Sequence, residues 1–179
     1  GRGGRGGIML PSLIGEERLD LMRTLASSSP FGCFVEVGVY KGGSAKVLYD
    51  LSLEQRRKLY LYDTFNGIPF QHPKYDNHKI GDFSDVNMDD LIKEMPLAVF
   101  LSGVFPETLV DMPPIAFVHA DGDQYQTTKD VCEILGPMMS KGGMMLFDDY
   151  IGLEGCIRAV DECLPQREIL LDGRALVRF

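Results

Sequence analysis

The sequence has no apolar run long enough to cross a bilayer. Its longest mainly apolar stretches, Gly142 to Phe147 and Ile115 to His119, fall far short of the roughly 20 residues a membrane helix needs, so no membrane partner is expected. Positive charge is also in short supply: 18 Lys and Arg stand against 26 Asp and Glu, for a formal net charge of -8. Such a surface repels phosphate backbones, and nucleic acid is excluded as an expected partner. Cysteine is sparse and unpatterned. Cys33, Cys132, Cys156 and Cys163 form neither a CxxC pair nor zinc-finger spacing; each lies in an apolar segment, which suggests reduced core thiols and a cytoplasmic location.

The 179 residues, 45% hydrophobic and 25% charged, have the composition of an ordinary globular chain with one sizeable core. Gly1 to Gly7 reads GRGGRGG, too glycine-rich to pack and without the apolar stretch of a signal peptide. Residues 1–10 are therefore expected to be a flexible tail or an appended remnant, and residues 11–179 a single domain.

The pattern along the chain alternates. Helical spacing over Ile14 to Ala26 precedes an apolar strand, Cys33 to Val37, a glycine turn over Gly38 to Gly43, and a helix over Ser44 to Leu51. Strands are then expected at Lys58 to Tyr62, Leu97 to Leu101, Ile115 to Ala120 and Met144 to Phe147, with helices at Val86 to Met95, Thr127 to Met139 and Gly155 to Leu164. Glu168 to Leu171 and Ala175 to Phe179 close the chain as a hairpin around Asp172-Gly173. Alternating β and α elements imply an α/β fold with a mostly parallel sheet, helices on both faces and an antiparallel strand at the end. The connection at about 64–85 is out of proportion, holding Pro69, Pro73, His72 and His78 without periodicity. A loop of that length reads as a lid or substrate-side loop.

Ligands bind open α/β sheets at the carboxyl ends of the strands. There, Gly38 permits a sharp turn, Gly42 and Gly43 allow close approach to the backbone, and the helix start at Ser44 offers free N–H groups to a carboxylate. Alone, these glycines also suit a plain βα turn, and they lack the GxGxxG spacing of a dinucleotide site. Asp63, at the end of the second strand, adds an acceptor for ribose hydroxyls. With no phosphate-binding lysine motif, S-adenosylmethionine fits, its carboxylate toward Ser44 and its ammonium toward Glu36.

Asp121 ends one strand, and Asp148 and Asp149 end the next. If the two strands are neighbours, about 4.8 Å apart, three carboxylates converge and call for a hard divalent cation, Mg2+ above others. For both Asp148 and Asp149 to face one ion, the chain must leave strand geometry. An Asp-Asp pair in isolation equally suits helix capping or a solvated loop. His119, on the same strand face as Asp121, reads as a histidine packed beneath the site.

These residues resemble the macrocin O-methyltransferase (TylF-like) family of class I S-adenosylmethionine-dependent methyltransferases, which act mainly on sugar hydroxyls of natural products. The matching pieces are EVGVYKGGSA (Glu36 to Ala45), YDTFNGIP (Tyr62 to Pro69), Gly81-Asp82-Phe83, FPETL (Phe105 to Leu109), VHADGDQYQTT (Val118 to Thr128), GGMMLFDDY (Gly142 to Tyr150) and GCIRAVD (Gly155 to Asp161). The resemblance implies a Rossmann-like seven-stranded sheet of order 3-2-1-4-5-7-6. It implies that Glu36, Gly38, Tyr40, Gly42 and Ser44 hold the methionine part of S-adenosylmethionine and Asp63 the ribose, with Thr64, Phe65, Ser102 and Gly103 near the adenosine. It also implies Asp121, Asp148 and Asp149 as Mg2+ ligands and Asp121 as general base. The family's helical N-terminal cover is expected to amount here to about one helix.

The expected reaction is Mg2+-dependent methyl transfer to a hydroxyl of a small molecule, a sugar or natural-product glycoside. The alternatives are a catechol-type O-methyltransferase, whose glycine loop is similar, and a non-catalytic S-adenosylmethionine-binding protein. The Asn66-to-Asp85 loop and Gln124 to Gln126 are expected on the acceptor side. Apolar loop residues Phe65, Ile68 and Phe70 suggest a homodimer that covers them.

Overall fold

The computed structural model describes residues 15–67, 72–76, 81, 86–150 and 152–179. The expected tail at 1–10, Ile14, and Ile68, Pro69, Phe70, His78, Asp82 and Phe83 of the long connection lie outside the described residues.

Cys33–Val37 (β1) and Ile115–Ala120 (β4) are buried along their whole length, as strands covered on both faces must be. They pair in parallel, and Leu59–Asp63 (β2) and Val99–Ser102 (β3) continue the sheet beyond β1. Met139–Phe147 (β5) pairs in parallel with β4, Ala175–Arg178 (β7) runs antiparallel to β5, and Glu168–Ile169 (β6) closes the edge. The order is β3-β2-β1-β4-β5-β7-β6, the order the resemblance implies. Chain order reverses between β1 and β4, which opens a crevice at the carboxyl edge of the sheet.

One apolar layer packs Glu16–Ser27 (α1), Gly43–Glu54 (α2) and Met88–Glu94 (α3) against Phe34, Leu61, Phe117 and Leu146. The other packs Val131, Leu135 and Val160 against Val35, Val37, Val118 and Met145; it carries Tyr125–Asp130 (α4) and Glu154–Cys163 (α5). Asn87 caps α3 by accepting from the N–H groups of Asp89 and Asp90, a contribution of about 1 kcal/mol. Among the described residues, no helix is long and apolar enough to cross a membrane.

Two elements differ most from their expected extent. The helix expected over Thr127 to Met139 starts at Tyr125, widens into a π-turn over Val131–Leu135 and tightens to 3-10 geometry over Gly136–Met138, where Pro137 has no N–H to continue the ladder. β5 then begins at Met139 and runs through Gly142 and Gly143, residues that carry no strand signal because they offer no side chain to pack. Phe65, expected to need a partner's cover, is buried and packs on Phe100 at 5.7 Å between ring centres.

Candidate active site

The crevice takes its shape from Gly38. Its N–H donates to Tyr62 O, its φ is 92°, and a Cβ on it would overlap the Asp121 carbonyl and crowd Gly122 N. Only glycine lets the turn after β1 lie this close to the loop after β4. Asp63 fixes the other side of that turn: Oδ2 accepts from the N–H groups of Val39 at 2.6 Å and Tyr40 at 2.9 Å, while Oδ1 accepts from Phe65 N at 3.1 Å.

Between these groups lies a narrow cleft, open to solvent. Of the residues expected at the cofactor, Gly38, Asp63, Thr64 and Gly103 line it; Val104, Phe105, Gly122 and Gln124 complete its far wall. Phe65 turns into the core, and Ser102 is exposed and donates to Thr64 O at 3.3 Å. Glu36, Tyr40, Gly42 and Ser44, also expected at the cofactor, are not among the residues that line it. Gln124 is wholly buried in the cleft wall and Gln126 is exposed and bonded to Asp130, so the expected Gln124-to-Gln126 acceptor wall does not form as a unit.

Glu36 sits on β1 opposite His119 of β4, and both are fully buried. Glu36 Oε2 lies 2.9 Å from His119 Nδ1, and His119 Nε2 lies 3.2 Å from Asp148 Oδ1. Asp148 Oδ1 also accepts from Arg174 Nη1 at 3.0 Å, and Asp172 engages the same guanidinium through Nε and Nη2. Burial disfavours charge on His119, but the neighbouring carboxylates Asp148 and Glu36 outweigh it and hold its pKa well above the usual imidazole range. Burial likewise opposes ionisation of Asp148, yet His119, Arg174 and Arg18 lower its pKa to about 2. Burial raises the Glu36 carboxyl above its ordinary value, with His119 and Ser44 offsetting part of the rise, and Glu36 Oε1 has no hydrogen-bond partner.

Asp148 and Asp149 part company. The chain does leave strand geometry, in a 3-10 turn over Asp148–Tyr150, but Asp148 keeps to the side of His119 and Arg174, whereas Asp149 meets Asp121 and Asp123. Oxygens of Asp121, Asp123 and Asp149 lie within 4.8 Å of one another. The expected trio of Asp121, Asp148 and Asp149 is thus replaced, as a gathered set of ligand atoms, by one containing Asp123, because cationic partners already engage the Asp148 carboxylate. Asp123 adopts φ 60°, a conformation Asp tolerates better than most residues. Its N–H donates to Asp149 Oδ2 at 2.8 Å.

His119 lowers the Asp121 carboxyl only in part, and the carboxylates of the trio act on one another in the opposite direction. Burial and then Asp149 push the Asp121 carboxyl well above its normal range; burial and then Asp123 do the same to Asp149. Asp123 rises to about 7, from burial and the Asp121 charge. An all-oxygen, mutually repelling donor set of this kind fits a hard divalent cation such as Mg2+.

Beside the trio, Asp76 Oδ1 accepts from Tyr125 N at 2.7 Å and Oδ2 accepts from His72 N at 2.6 Å. The His72 ring stacks on Tyr75 at 4.6 Å, and Tyr125 leans on both. Residues 72–76 of the long connection are thereby fastened at the start of α4. Asp76, Asp123 and Arg174 do not stand out in the sequence pattern; of the three, only Asp123 has a visible signal, as the second acid of Asp121-Gly122-Asp123.

A sequence profile described as macrocin-O-methyltransferase (TylF) matches residues 8–172. An 8-demethyl-8-(2,3-dimethoxy-alpha-L-rhamnosyl)-tetracenomycin-C 4'-O-methyltransferase of Streptomyces olivaceus is 28% identical over 177 residues, and a demethyldecarbamoylnovobiocin O-methyltransferase of Streptomyces niveus is 29% identical over 177. Each match takes in 84% of this chain, which spans 66% of the length of either relative. Among solved structures, the O-methyltransferase NovP superposes with a TM-score of 0.81 at 24% identity, over 93% of this chain and 81% of that one. The calicheamicin methyltransferase CalS11 superposes with a TM-score of 0.76 at 22% identity, over 91% of this chain and 77% of that one. At these identities the superpositions speak to fold.

Proposed function

From the premise that this chain belongs to the macrocin O-methyltransferase (TylF) family, we propose that it transfers a methyl group from S-adenosylmethionine to a hydroxyl of a small-molecule glycoside. The observation that carries this reading is the adjacency of two sites at one sheet edge. A cleft holding Gly38, Asp63 and Gly103 opens beside the Asp121, Asp123 and Asp149 trio. The names of the two Streptomyces relatives, a rhamnosyl-tetracenomycin-C 4'-O-methyltransferase and a demethyldecarbamoylnovobiocin O-methyltransferase, support a natural product as acceptor, and the first supports a glycosylated one.

Gly38 lets the cofactor's methionine end approach the backbone, and the unpartnered Glu36 Oε1 offers an acceptor to its ammonium. Asp63 lines the cleft at the end of β2, where its carboxylate is placed for the ribose hydroxyls. Asp121, Asp123 and Asp149 are the residues that would hold Mg2+, with Asp148 behind them as the counterion of Arg174 and His119. Bound there, Mg2+ supplies Lewis-acid charge that makes a weakly acidic hydroxyl easier to deprotonate. Asp121 would take that proton on a carboxylate oxygen as the new O–CH3 bond forms. The remaining work is orientation: the acceptor oxygen must lie in line with the S–CH3 bond, a positioning effect worth several orders of magnitude.

Titration calorimetry with S-adenosylhomocysteine, with and without MgCl2, tests the reading. Binding of both ligands supports it, whereas tight NAD binding with no uptake of S-adenosylhomocysteine overturns it.

A further inference from the structure

Gln124 is fully buried, and neither Oε1 nor Nε2 of its carboxamide has a hydrogen-bond partner. A buried amide left unmatched is costly, and a partner from outside the chain removes the penalty. The side chain lines the same cleft as Gly38 and Asp63, not the acidic trio where an acceptor hydroxyl has to react. The cleft's apolar side is formed by Val37, Tyr62, Val104 and Phe105, with Gly103 and Gly122 presenting no side chain, and Thr64 and Thr127 complete the lining. Phe105 is held edge-on to Tyr62 at 5.3 Å. A cleft with an apolar side and a buried, unpartnered carboxamide suits a planar heterocycle that itself offers an adjacent donor and acceptor. Adenine does so on either edge, pairing its 6-amino group with a ring nitrogen, and a Gln carboxamide matches that pattern with two hydrogen bonds.

We propose that the Gln124 carboxamide reads the adenine of S-adenosylmethionine through such a two-bond contact. This deepens the functional reading above and rests on it. Gln124 then acts as a specificity residue for the cofactor base, remote from the transferred methyl group.

The test is calorimetric titration of the wild-type chain and of Gln124→Leu with two probes, S-adenosylhomocysteine and its purine analogue lacking the 6-amino group. The wild type is expected to bind S-adenosylhomocysteine about tenfold more tightly than the analogue. Gln124→Leu is expected to weaken S-adenosylhomocysteine about tenfold or more and to bind the two probes within about twofold of each other. Its ligand-free melting temperature should not fall, since it removes two unpartnered polar atoms. Gln124→Met serves the same purpose should the branched side chain prevent folding. A wild-type protein that binds both probes equally, or a variant that keeps wild-type affinity and preference, overturns the inference while leaving the cofactor assignment intact. A wild-type protein that binds neither probe overturns the cofactor assignment itself.

Discussion

The main-chain N–H of Asp123 donates a 2.8 Å hydrogen bond to Oδ2 of Asp149, tying the loop after β4 to the turn after β5. The bond holds two carboxylates side by side, with Asp121 as a third. The backbone thus imposes a convergence that charge alone opposes, an electrostatic cost that the proposed divalent cation would relieve.

Asp123→Asn and Asp149→Asn should each stabilise the metal-free protein, by about 1 kcal/mol, through loss of a like-charge neighbour. The same variants should lose most of the melting-temperature rise that MgCl2 gives the wild type. Asp148→Asn should behave in the opposite way. It leaves the buried Arg174 guanidinium and His119 short of a counter-charge, and a broken buried pair costs about 3–5 kcal/mol. Thermal melts in EDTA and in MgCl2 separate the two behaviours.

The pH profile of stability has a defined sign. Asp123 has a folded pKa of about 7 against an ordinary value of 3.8, and Asp121 and Asp149 are raised as well. Between those limits the folded chain binds more protons than the unfolded one. The associated stability is complete below about 3.8 and is lost as pH rises through about 7. In EDTA the melting temperature should therefore fall between pH 5 and pH 8, while saturating MgCl2 should flatten the fall. Asp148, lowered to about 2, contributes with the opposite sign, its stability being present above its ordinary value and lost as pH drops through about 2. Scanning fluorimetry across pH checks both limbs; a rise in the EDTA melting temperature from pH 5 to pH 8 contradicts the assignment.

Much of this arrangement was legible from residue pattern. Continuous apolar runs ending in Glu36-Val37-Gly38, Asp63, Asp121 and Asp148-Asp149 mark parallel strands with chemistry at their carboxyl ends, and the sheet follows them. The division of labour between Asp148 and Asp149 was not legible, because it depends on Arg174. That residue follows an Asp-Gly turn at the far end of the chain and reads as exposed until the antiparallel β7 buries it beside β5. Asp123 was passed over for a related reason: its side chain reaches Asp121 and Asp149 only because its backbone adopts φ 60°, a conformation no periodicity announces. Gln124 likewise sits in a polar stretch, Gly122 to Gln126, whose burial is decided by α4 and the cleft wall.

Gly38→Ala places a methyl group against the Asp121 carbonyl at a left-handed φ. The substitution should destabilise the protein by about 2–4 kcal/mol, the strain and the clash adding. Urea unfolding measures the loss, and a folded variant should bind S-adenosylhomocysteine at least tenfold more weakly.

Asp63→Ala removes the acceptor for the N–H groups of Val39 and Tyr40 as well as the proposed ribose contact. A stability loss of about 1–3 kcal/mol is expected from the orphaned donors. Affinity for S-adenosylhomocysteine should drop by more than the stability change explains, and titration of the folded fraction distinguishes the two effects.

Transfer of an isotopically labelled methyl group from S-adenosylmethionine to a panel of rhamnosides and other glycosides, with catechols alongside, tests the central claim most directly. The predicted result is label on a glycoside hydroxyl oxygen, abolished by EDTA, restored by Mg2+ and reduced about 10²-fold or more by Asp121→Asn. Label transferred at full rate in EDTA and by Asp121→Asn, or label found on carbon or nitrogen, would contradict it.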